Sequence, residues 1–204
     1  MPLVLLVNYT LCEYLLVFYW KRRHEPRIRL LFCVSVLGVL CLVPFARDDP
    51  DFVRSLNDVS ESCVVVTFLI QITVIGYDLN VKFKIRSIRW LTYAAETLIV
   101  LDLGCVLLSA AFTFDSKHIN TALAENIPNV CENLTLAFIF VFRFYYIGIS
   151  RGWRSIWDQR KLELFIYLLF ATHEMPFDIL EEATGLSWEH PQALWNRITI
   201  AACL

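Results

Sequence analysis

Six apolar stretches alternate with short polar segments along the chain, at residues 2–20, 28–45, 63–77, 90–114, 134–149 and 162–178. A helix that crosses a bilayer needs about 20 largely apolar residues. The pattern therefore predicts an all-α, polytopic transmembrane helical bundle. The third stretch is short and is expected to extend into its flanks. The sixth is apolar only to Thr172, then meets His173, Glu174 and Pro176. Proline lacks the backbone donor that a helix interior needs, so Pro176 ends or kinks that helix. A last apolar run, 193–204, stops after 12 residues. It predicts a partial seventh span or a re-entrant segment, and reads as a chain that continues beyond Leu204.

The polar segments alternate in sign. Segment 21–29 holds Lys21, Arg22, Arg23, Arg27 and Arg29, whereas 47–61 holds Asp48, Asp49, Asp51, Asp58 and Glu61 against Arg47 and Arg54. Segment 78–89 is basic (Lys82, Lys84, Arg86, Arg89), and 115–132 carries Asp115, Glu125 and Glu132 against Lys117. Arg151, Arg154, Arg160 and Lys161 then precede the acidic Asp178, Glu181, Glu182 and Glu189. Short loops rich in Lys and Arg stay on the cytoplasmic side. The alternation thus predicts an N-terminus outside, with six spans and a partial seventh element. Met1 leads into the first apolar run with neither a basic segment nor a small-residue cleavage site before Trp20, which reads as a span and not as a signal peptide.

Composition agrees: 57% of the 204 residues are hydrophobic, above the 45–50% or so of soluble domains. A net charge of −2 by itself says nothing about nucleic acid, and with no basic block outside the loops no nucleic-acid partner is expected. The seven cysteines show no CxxC spacing, so no metal site is expected. No nucleophile–base arrangement or Gly-rich phosphate loop is present, and the chain reads as a non-enzyme without cofactors. Asn8-Tyr9-Thr10 and Asn133-Leu134-Thr135 are glycosylation sequons, but each lies at or in a helix. Trp20, Trp90, Trp153 and Trp157 fall at the basic ends of helices, where interfacial anchors sit.

Charged side chains in hydrocarbon are costly and mark function. Asp102 lies near the middle of the fourth stretch and Arg143 just past the middle of the fifth. An Asp102–Arg143 pair would compensate both, either fixing helix register or lining a water-filled path. Glu13 and Gln71 lie near the same level. Asp102, Cys105 and Ser109 share one helix face by their spacing, while Glu96 points elsewhere.

These residues resemble the voltage-gated cation channel superfamily. Asp78, four before Lys82 in Tyr77-Asp78-Leu79-Asn80-Val81-Lys82, resembles the acidic–basic pair of the second sensor helix, with Ile75 where the family has an aromatic. Leu98-Ile99-Val100-Leu101-Asp102-Leu103 resembles the third sensor helix, with Ile99 where an Asn is frequent. Val141-Phe142-Arg143-Phe144 and the later Arg151 and Arg154 resemble the inner half of the charge-bearing fourth helix, which here keeps few of its charges. The resemblance implies an extra helix at 1–20, a four-helix sensor-like bundle at 21–154, and a linker, first pore helix and truncated pore segment at 155–204. It implies a sensor charge network of Asp78, Lys82, Asp102, Arg143, Arg151 and Arg154. It also implies passive cation transport by a homotetramer in the plasma membrane. The competing readings are a seven-helix receptor and a transporter. In the receptor reading, Cys63 and Cys131 at outer helix ends form a disulfide; packed free thiols are the alternative.

Overall fold

The computed structural model describes residues 2–46, 50–114, 121–151 and 161–203. Helices account for nearly all of them, and no strand occurs among these residues. In chain order they are α1 (Pro2–Tyr19), α2 (Pro26–Leu42), α3 (Pro50–Phe83), α4 (Arg86–Phe114), α5 (Thr121–Arg151), α6 (Lys161–Ala171), α7 (Met175–Thr184) and α8 (Glu189–Cys203).

Local chemistry explains several boundaries. Glu25 is extended and Pro26 takes the first turn of α2, a position whose N–H would be unsatisfied in any case. The third apolar stretch does extend into its flanks, to a 34-residue helix. That helix stops where Lys84 turns left-handed (φ 52°) and its N–H donates to the Asn80 carbonyl at 2.9 Å, the single-bond form of C-terminal cap. Gly185 closes α7 in the same way, donating to Glu181 at 2.8 Å.

Four helices among the described residues are long and apolar enough to cross a membrane: Pro2–Arg22, Phe52–Lys82, Arg86–Ala111 and Ile127–Ile149. Six spans with a partial seventh are not reproduced. The second stretch gives a helix of 17 residues, after which the chain tightens into a 3₁₀ turn around Pro44. The sixth breaks at Thr172–Glu174 into α6 and α7, because Pro176 starts a new helix and cannot continue the old one. The segment expected to re-enter the membrane is the continuous helix α8.

The chain divides into two compact units, Met1–Thr135 and Leu136–Leu204. This division lies inside α5. In the first unit α3 is the axis: 83% of its apolar window is buried, against 28% for α1 and 22% for α4. Helices α2 and α4 flank it, and α1 packs on α2. The outer helices turn Leu6, Val17, Phe18, Val100 and Leu107 outward. Exposed apolar faces of this extent need an apolar solvent or partner, so a membrane suits the fold. In the second unit α6 packs on α8, and the Tyr167 hydroxyl donates to the Cys203 carbonyl at 2.9 Å.

Candidate functional site

Two polar layers stand out in the first unit. The first lies at the end that carries the basic segments. Arg22, just after α1, is held by two carboxylates. Its guanidinium donates to Glu25 at 2.7 and 2.8 Å and to Asp78 of α3 at 2.6 and 2.9 Å. Forked pairs of this kind combine charge with fixed geometry. Arg27 donates to Glu96 of α4 at 2.6 Å, and its guanidinium lies 4.3 Å from the centre of the Tyr77 ring. Arg22, Glu25, Arg27, Tyr77, Asp78 and Lys82 line a cleft of about 660 Å³. The Arg22 guanidinium holds the Glu25 carboxyl below its ordinary range.

The second layer is buried and lies in the half toward the acidic segments. Asp102 is 5% exposed and accepts a hydrogen bond of 2.8 Å from the Thr135 hydroxyl. Beside it a cavity of about 10 Å³, room for roughly one water, is lined by Ser62, Val65 and Val66 of α3, Asp102 and Cys105 of α4, and Pro128 and Glu132 of α5. Nearby on α3, Ser60 donates to the Gly38 carbonyl at 2.8 Å. Asn8 of α1 donates to both Gly38 (3.2 Å) and Ser60 (3.1 Å). The first sequon thus supplies a buried bridge between three helices, not an accessible acceptor; Asn133 of the second donates to Asn129 at 2.9 Å.

No family model, curated protein or solved structure matches this chain. The site therefore rests on its geometry alone.

Within the first unit, that geometry sets Asp78 and Asp102 at different depths. Asp102 lies level with Val65 and Val66, 12 or 13 residues before Asp78 on α3. At 1.5 Å per residue the two acids differ in depth by about 18 Å. Asp78 instead pairs with Arg22, a partner that no helix periodicity indicates. Lys82 lines the cleft with Asp78. In the second unit the Arg143 guanidinium lies 5.0 Å from the centre of the Tyr167 ring, a cation–π contact. Arg151 is the last residue of α5, and Arg154 lies outside the described residues. Glu96 does point away from Asp102, and reaches Arg27. Glu13 is exposed. Gln71 is buried.

Cys63 and Cys131 do not form a disulfide; all seven cysteines are free thiols. Cys63 is buried in the seam with α2, where Gly38 brings the two backbones close. Cys131 is a half-buried thiol on α5, next to Glu132 of the cavity that Cys105 of α4 also lines. Helix ends indicate a common depth but not which neighbour a thiol faces.

Proposed function

We propose that this chain is a channel-like membrane subunit through which a cation moves passively, with Asp102 as the carboxylate on its path. One observation carries the reading: a buried acid in an apolar helix, beside a small cavity and given a hydroxyl for a hydrogen-bond partner. A hydroxyl donor does not neutralise a carboxylate, and a lone charge at membrane depth is expensive. A cation in the adjoining cavity lowers that cost. Resemblance to the voltage-gated superfamily supports the ion class, with a homotetramer as the assembly and the plasma membrane as its place. Voltage sensing is not part of the proposal, because Asp78 and Asp102 stand at separate levels.

Purified protein reconstituted in liposomes should take up rubidium or sodium down a gradient. Asp102→Asn keeps an oxygen for Thr135 and removes the charge, and should lower the flux at least about tenfold, the effect of some 1.4 kcal/mol. Absence of flux in the unaltered protein, or equal flux in the variant, would overturn the reading.

A receptor-like role is the second reading. It is favoured by the axial helix α3, whose basic-segment end is tied by Asp78 to Arg22. Such a protein would conduct nothing, and Asp78→Asn would change its stabilisation by ligands added from the opposite side.

A further inference from the structure

We propose that Cys105 and Cys131 form a reversible dithiol–disulfide site that staples α4 to α5. The hydrogen bond from Thr135 to Asp102 sets the antiparallel register of the two helices. Moving three residues on along α4 and four back along α5 advances each helix by about one turn on the same face. The residues reached are Cys105 and Cys131, and Cys105 lines the cavity together with Pro128 and Glu132, which stand one turn from and next to Cys131 on α5. The juxtaposition follows from register and adjoins the cavity beside Asp102.

The two thiols differ in access. Cys105 is buried and Cys131 is partly exposed. Cys131 lies four residues inside the start of the span Ile127–Ile149, and Cys105 lies six residues inside the end of Arg86–Ala111. Both are therefore shallow, within about 9 Å of one edge of the apolar region at 1.5 Å per residue. Hydrogen peroxide, small and uncharged, is the class of oxidant that reaches such a place.

The chemistry balances in two steps. The Cys131 sulfur, as thiolate, attacks one peroxide oxygen and the O–O bond breaks. The departing hydroxide takes up the thiol proton as water, leaving Cys131 as a sulfenic acid. The Cys105 sulfur then attacks the Cys131 sulfur. The S–S bond forms, the S–O bond breaks, and a second water leaves with the Cys105 proton. Two thiols lose two electrons to one peroxide. Reduction by a dithiol reverses the link.

Trypsin offers a direct readout, because cleavage after Arg89, Lys117 and Arg143 places Cys105 and Cys131 in separate peptides, 90–117 and 118–143, each with a single cysteine. Reconstituted protein is treated with hydrogen peroxide, alkylated, digested and analysed by mass spectrometry without reduction. The expected result is a linked 90–117/118–143 pair that takes up most of both peptides and disappears with dithiothreitol. Cys105→Ser should instead leave Cys131 as sulfenic or higher acid with no linked pair. Linkage of Cys131 to Cys63, or overoxidation of Cys131 with Cys105 left alkylated in the unaltered protein, would overturn the proposal.

Discussion

The two polar layers of the first unit use opposite chemistry for the same task of joining helices. At the basic-segment end the links are full charges on long side chains. Arg22, Glu25 and Asp78 keep 33%, 46% and 42% of their side-chain surface exposed, and Arg27 and Glu96 keep 37% and 38%. In the buried half the links are short and mostly neutral: Asn8, Ser60 and the Gly38 carbonyl, and Thr135 on Asp102. Water at the first layer lowers the cost of each charge and also weakens each attraction. Without water, a buried amide or hydroxyl left unpartnered costs free energy comparable to a lost bond. The layer with the shortest ion pairs is therefore expected to matter least for stability.

The largest effect should come from closing the space that the neutral layer requires. A Cβ on Gly38 would meet the Cys63 Cβ at 3.1 Å, the Ser60 carbonyl oxygen at 3.6 Å and the Asn8 amide nitrogen at 3.7 Å. Two of these atoms belong to the α3 backbone or lie next to it and cannot swing aside. Gly38→Leu should cost about 1–3 kcal/mol by overpacking alone, with further loss as α2 and α3 separate and the bridge from Asn8 breaks. The check is a denaturant or thermal unfolding series in detergent, in which Gly38→Ala should fall between the two.

Next in size is Asn8→Ala, which removes two hydrogen bonds while leaving Ser60 on Gly38. Polar links between membrane helices average about 0.6 kcal/mol and reach about 1.7, so roughly 1–2 kcal/mol of stability should be lost. A smaller loss for Asn8→Ala than for Arg22→Ala would break the comparison, because it would place the stronger links in the exposed layer.

Periodicity and loop charge made the helical class, the long third helix and the separate face of Glu96 legible. They did so because burial along a helix repeats every 3.6 residues whatever the neighbours are. Partner choice was not legible. The facing of Cys63 toward Gly38, and the place of Cys131 beside the cavity that Cys105 lines, depend on which helices adjoin, and a single helix pattern carries no such information. Asn8 matched a sequon and not a helix contact, since its value lies in a carbonyl 30 residues away. Four of the expected spans are long, unbroken apolar helices among the described residues, and the others meet prolines. Pro44 lies in the turn that follows the second run, and Pro176 starts a new helix where the sequence already indicated an end or a kink. The sensor resemblance grouped Asp78 with Asp102 because each falls in a run that resembles a sensor helix. An antiparallel pair α3–α4 turning at Lys84 puts them far apart in depth.

The smallest effect, and the sharpest test of the exposed layer, is Arg22→Gln. Each lost pair should cost about 0.2–1 kcal/mol at low salt, and less as salt shortens the screening length to about 3 Å at 1 M. Acid adds a second signature. Glu25, outside the apolar spans, is held below its ordinary value chiefly by the hydrogen bonds from Arg22. A folded state with a lowered carboxyl binds its proton less readily than the unfolded chain does. The pair's contribution is therefore fully present above the ordinary carboxylate range, near 4.3 for Glu, and is lost as pH falls through and below it. Melting temperatures of the two proteins should differ at neutral pH and low salt, then converge as the medium is acidified. Convergence in salt but not in acid would mean that neither carboxylate partner of Arg22 carries the effect. A difference that persists in both would mean that Arg22 stabilises by packing its stem, and that the exposed layer is no weaker than the buried one.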